Sequence, residues 1–166
     1  MDNKVAQTIA RALVQRGYTA VRFNFRGVGA SAGQWDEGRG EVEDAMAVLS
    51  AFRVPGQALV VAGFSFGAYV AAQVALRLSS TAPVQHVVLV GPAVQTFEVA
   101  PVPAGSLVIH GEKDDVVALS AVFDWARPQA QPVTVLPGAG HFFHGQLGIL
   151  KTMLLGGCPA RPASAA

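Results

Sequence analysis

Charge is scarce in this chain. Of 166 residues, 14% are charged, and 12 basic against 11 acidic side chains leave a net charge of +1. That balance offers no electrostatic footprint to nucleic acid or an anionic membrane, so neither is expected as a partner. Cysteine is nearly absent. Cys158 stands alone, which excludes an internal disulfide and suits a reducing, cytoplasmic compartment. The first residues are not expected to be a signal peptide: Met1-Asp2-Asn3-Lys4 opens onto a polar, amphipathic stretch rather than a basic start followed by an apolar run. There is no internal repeat and no linker, so the length is that of one domain, expected over residues 1–155 with a flexible Pro/Ala/Gly-rich tail over 156–166.

Apolar residues are plentiful, at 51% of the chain. Residues 58–76 are apolar for about the length of a bilayer crossing. Gly63, Ser65 and Gly67 cluster inside that stretch, however, and Leu59-Val60-Val61 precedes them, so a buried strand, a sharp turn and a buried helix account for it better. The rest of the chain also alternates. Val5, Ile9 and Leu13 lie four apart and predict an amphipathic helix over 3–16, stopped by Gly17. Residues 19–25 are β-rich and read as a strand; 27–40, with five glycines, as a loop. Val42, Met46, Leu49 and Phe52 mark a second helix, ended before Pro55. Strands follow at 58–62, 86–90, 107–110 and 133–136, with helices at 66–78, 119–127 and 142–155. Strands that are apolar throughout, alternating with helices, indicate an α/β fold with a mostly parallel sheet covered on both faces.

Gly63-Phe64-Ser65-Phe66-Gly67 is a G-x-S-x-G pattern at a strand-to-helix junction. A serine on so sharp a turn crowds the backbone two residues to either side, where only small residues fit. The helix that follows aims its first amides at any negative charge forming beside the serine, and the Phe66 amide is the expected donor. A serine hydroxyl needs a base, and the base needs a partner to fix its tautomer. Asp114 follows the 107–110 strand by a short loop, which places it at the carboxyl edge of the sheet, where sites form in such folds. Asp115 is adjacent, and the choice between them stays open. His141 follows the last strand and Gly138-Ala139-Gly140. His144 competes with it but is expected one turn into the last helix and pointing elsewhere. His86 begins a strand at the opposite edge. His110 ends a strand and is expected near the site, yet its place before a tight glycine turn suits a structural role.

By these residues the chain resembles the α/β-hydrolase superfamily, and more narrowly the small, cap-less bacterial hydrolases whose elbow reads GFSFG. Phe23-Asn24-Phe25-Arg26-Gly27-Val28-Gly29 and His141-Phe142-Phe143-His144 are similar to that group as well, and the resemblance runs from Met1 to about Leu155. It implies acyl transfer from a small ester-like substrate: Ser65 as nucleophile, His141 as base, Asp114 as its orienting acid and Phe66 N–H in the oxyanion hole. Phe64 and Tyr69 are expected to add apolar substrate wall. No cofactor is implied. The family sheet has the order 1-2-4-3-5-6-7-8, and nothing here corresponds to its first three strands. Residues 19–25 would be strand 4 and 58–62 strand 5, with the place of strand 3 between them empty. The sheet must then pair those two directly, leave a gap, or recruit another chain as a homo-oligomer. The same departure implies that Met1 is not the natural start and that roughly 40–60 residues precede it.

Two other readings compete with this one. Gly27-Val28-Gly29 with Gly33 hints at a dinucleotide loop, but no helix opens within it and no acidic residue ends the next strand. A non-catalytic remnant with a triad but half an oxyanion hole is the nearer alternative, since losing one such donor typically costs about 10²–10³ in rate. No metal set stands out, since the His141/His144 pair alone is poor support for zinc.

Overall fold

The computed structural model describes residues 2–162. Four parallel strands, β1 (Val60–Phe64), β2 (His86–Val90), β3 (Leu107–Gly111) and β4 (Val133–Leu136), form one sheet in sequential order. Register runs from Val60 against His86, through Val88 against Leu107, to Val108 against Val133. Each strand pair is joined through helical or irregular chain on the sheet faces, as parallel pairing requires.

The apolar strands bury both faces. In β2, Val88 and Val90 join Ile109 and Leu136 against α1 (Lys4–Gln15) and α5 (Leu147–Gly157), through Val5, Ile9, Leu13, Leu150 and Leu154. Val87 and Leu89 point the other way, onto the alanine face of α3 (Phe66–Leu78) and Val122 of α4 (Leu119–Ala126). Helix α2 (Arg39–Phe52) packs behind α3 through Val42, Met46 and Leu49. The fold is thus a sheet between two helical layers, as the alternating pattern predicts.

Residues 19–25 form no strand, which corrects the reading of that segment. Its β-rich composition is genuine, but a strand exists only through a neighbour, and none lies beside it. Within the chain itself, no described segment pairs with the open edge of β1, and that place is a gap. An apolar groove runs between residues 19–25 and the open edge of β1, and reaches Ser65 and His141.

Three further boundaries differ. Strand β1 lies at Val60–Phe64, two residues later than 58–62, and so runs directly into Ser65. Residues 142–146 are turns, with Phe143 N–H bonded to Gly140 O and Gln146 N–H to Phe143 O, so α5 begins five residues later than its apolar pattern suggests. The segment from 156 onward is docked rather than frayed as far as it is described. Cys158 is buried, Arg161 N–H donates to Arg16 O, and the Arg161 guanidinium to Gln57 Oε1. The remaining tail, 163–166, lies outside the described residues.

The loop before α2 is braced. Arg26 donates to Asp44 through its backbone and guanidinium at 2.8–3.2 Å. Fully buried Glu41 accepts from the amides of Asp36 and Gly38, each at 2.9 Å. A Cβ at Gly40 would overlap the Arg26 guanidinium, so glycine is needed for that close approach. This bracing carries Trp35 onto Phe66, with ring centroids 4.8 Å apart.

Candidate active site

Ser65 sits between β1 and α3 with φ 54° and ψ −117°. A positive φ is costly for a residue with a Cβ and persists only where its surroundings enforce it. Here they do: Ser65 N–H continues the ladder to Val90 O at 2.9 Å, and Ser65 O accepts from Ala68 N–H at 3.0 Å as α3 begins. A Cβ on Gly63 would run into the Gly67 carbonyl and the Ala68 amide, so strand and helix touch there backbone to backbone. As the first residue of α3, Phe66 has an amide with no intrahelical acceptor, at the positive end of the helix.

The loops after β3 and β4 are stitched together. Glu112 N–H bonds to Leu136 O at 3.0 Å, Lys113 N–H to Ala139 O at 2.8 Å, and Gly138 N–H to the Glu112 carboxylate at 2.7 Å. Gly111 permits the approach, since a Cβ there would strike the Ala139 carbonyl. This stitching brings Asp114 and His141, 27 residues apart, side by side. Asp114 Oδ1 accepts from the amides of Val116 and Val117 at 2.9 and 2.8 Å, and its Oδ2 lies 2.7 Å from His141 Nδ1. His141 Nε2 lies 3.0 Å from Ser65 Oγ. Both Asp114 and His141 are buried. The His141 ring rests on Phe64 at 4.8 Å and meets Phe142 edge-on at 5.0 Å, with Gly91 behind it.

The three residues singled out from sequence are therefore in one hydrogen-bonded line. Their competitors are not: Asp115 and His144 are exposed, and His144 stacks on Phe142 from a turn before α5 rather than from within the helix. Phe64 lies against the His141 ring. Tyr69 lies elsewhere: it packs under Gly38 and beside Phe97, along a hollow shared with Arg26, Gln73 and Arg77. Trp35, Phe97 and Phe142 complete aromatic groups on both sides of Ser65, and sequence reasoning passed them over. For Phe142 the signal was available, as the residue next to His141. For Trp35 and Phe97 it was not, because irregular segments hide their spatial neighbours. Among the described residues, no three histidine, cysteine or acidic side chains are grouped to hold a metal, and no helix is long and apolar enough to cross a membrane.

A parallel sheet with a strained serine at the end of one strand, and an acid and a histidine after later strands, has the layout of an α/β hydrolase. The chain belongs to the serine aminopeptidase (S33) family, whose model matches residues 3–106. It is 41% identical to a lidless α/β serine hydrolase from Xanthomonas campestris, with a TM-score of 0.84 over 95% of this chain and 73% of that one. An α/β serine hydrolase homologue from Coxiella burnetii is 40% identical, with a TM-score of 0.79 over 93% of this chain and 76% of that one. An uncharacterised protein of Rickettsia prowazekii is 34% identical over 159 residues, covering 86% of this chain; the chain spans 66% of that relative's length.

Proposed function

We propose that the protein is a serine hydrolase that cleaves an ester-like acyl bond through an acyl-enzyme on Ser65. The observation that carries this reading is the relay Ser65 Oγ–His141 Nε2–Asp114 Oδ2, at 3.0 and 2.7 Å. Asp114 is acceptor-only when ionised, so His141 Nδ1 keeps its hydrogen and Nε2 offers its lone pair to the serine hydroxyl. As Ser65 Oγ attacks the carbonyl carbon, its proton passes to Nε2. The carbonyl oxygen gains a negative charge toward the Phe66 amide and the N-terminus of α3. Collapse expels the leaving group, which takes the proton from Nε2. Water then attacks the acyl carbon and gives a proton to Nε2; the acyl–Oγ bond breaks, Ser65 Oγ takes that proton back from Nε2, and the acid leaves. Phe64 and Phe142 supply an apolar wall beside the reacting carbonyl, with Tyr69 supporting Phe66 from behind. A single buried cysteine needs no oxidising compartment, which fits action in the cytoplasm.

Steady-state hydrolysis of p-nitrophenyl esters tests this reading. Asp114→Asn leaves Nδ1 without its carboxylate partner and is expected to lower kcat by about 10⁴-fold. Equal turnover in wild type and variant would refute the relay. A burst of one equivalent without further turnover would instead favour a remnant that acylates and stalls.

A further inference from the structure

His110, the residue before the last of β3, lies beside Asp114, and its side chain has no exposure at all. Its Nε2 lies 2.9 Å from Val117 O and 3.5 Å from Asp114 Oδ2. A carbonyl only accepts, so Nε2 carries the hydrogen. Nδ1 is buried and has no hydrogen-bond partner among the described residues, so it carries the lone pair. Burial lowers the pKa of His110 and holds it neutral, with Asp114 and His141 the titratable groups whose charges it feels.

Val117 is gripped at both ends. Its N–H donates to Asp114 Oδ1, and its carbonyl accepts from His110. A leucine would fill the same volume without leaving a buried Nδ1 unsatisfied, which is costly. Packing alone therefore does not explain a histidine here, whereas the direction of its N–H does.

We propose that His110 is a positioning residue for the hydrolytic relay: by anchoring Val117 O and facing Asp114 Oδ2, its Nε2–H fixes the carboxylate so that Oδ2 meets His141 Nδ1. The proposal rests on the relay function argued above. His110 touches neither Ser65 nor the substrate; it acts through Asp114.

Glutamine places an N–H near the position of a histidine Nε2, and asparagine near that of Nδ1. His110→Gln should therefore keep kcat near wild type. His110→Asn and His110→Leu should lower kcat by up to about 10²-fold, the scale of an ångström's misplacement, with KM little changed. Proton NMR gives a readout independent of turnover: the low-field signal of His141 Nδ1–H, assigned by its loss in His141→Gln. It should persist in His110→Gln and shift or vanish in the Asn and Leu variants. Wild-type kcat and an unmoved signal in His110→Leu would overturn the proposal, as would equal loss in the Gln and Asn variants. If Asn and Leu unfold the chain, Gln alone decides: a retained signal supports the proposal and a lost one overturns it. If the wild type hydrolyses no ester while the signal follows this pattern, the hydrolase reading fails and the positioning role stands.

Discussion

Ser65 and His141 owe their relation to residues with little or no side chain. Gly63 lets β1 and α3 meet at the serine, and Gly91, at φ 53°, leaves room for the imidazole beside Phe64. His141 alone faces both Ser65 and Asp114, so His141→Gln should abolish nearly all ester turnover while His144→Gln, altering an exposed ring, should not. The reverse pattern between the two variants would place the base at His144. The three members of the line were legible in the sequence because each follows a strand with a recognisable apolar run, Ser65 at once and Asp114 and His141 after short loops. His110 was legible as structural but not as a partner of Asp114, since an i, i+4 pair across a strand end and a turn has no fixed geometry.

At the scale of elements, the junction of β1 and α3 is the most constrained. A methyl on Gly63 would meet backbone atoms of α3 that cannot swing aside. Gly63→Ala is therefore expected to cost about 1–3 kcal/mol of stability and to lower ester turnover as well, because relief requires α3 to move away from Ser65. Denaturant unfolding together with ester turnover checks both; a fully stable, fully active variant would contradict the packing described. The element pattern shows what sequence can carry. Strands β2 and β4 lie where their apolar runs begin and end, as does α3. Residues 19–25 were misread for a physical reason: composition reports fitness for a pleated, half-buried surface, but the hydrogen bonds that make a strand belong to a second segment. The start of α5 was misread because Phe142 and Phe143 are apolar for reasons of the site and the core rather than of the helix.

Across the whole molecule, two histidines make stability depend on pH. Burial lowers the pKa of both His86 and His110. Below about 6.5, the unperturbed value, the unfolded chain binds protons that the folded chain refuses. Their contribution is thus full above that pH and is lost as pH falls through their folded values. Asp44, held below the usual carboxylate range chiefly by its hydrogen bond to Arg26, weakens the fold only at lower pH still. The urea midpoint should therefore drop between pH 7.5 and 5.5, and drop less in His86→Gln; a midpoint that is flat or rises on acidification would contradict this. Labelling by a fluorophosphonate probe, read by intact mass, tests whether Ser65 is the activated nucleophile proposed above. One adduct per chain is expected, located on Ser65 and absent in Ser65→Ala. An unlabelled wild type, or an equal adduct in the alanine variant, would contradict that role.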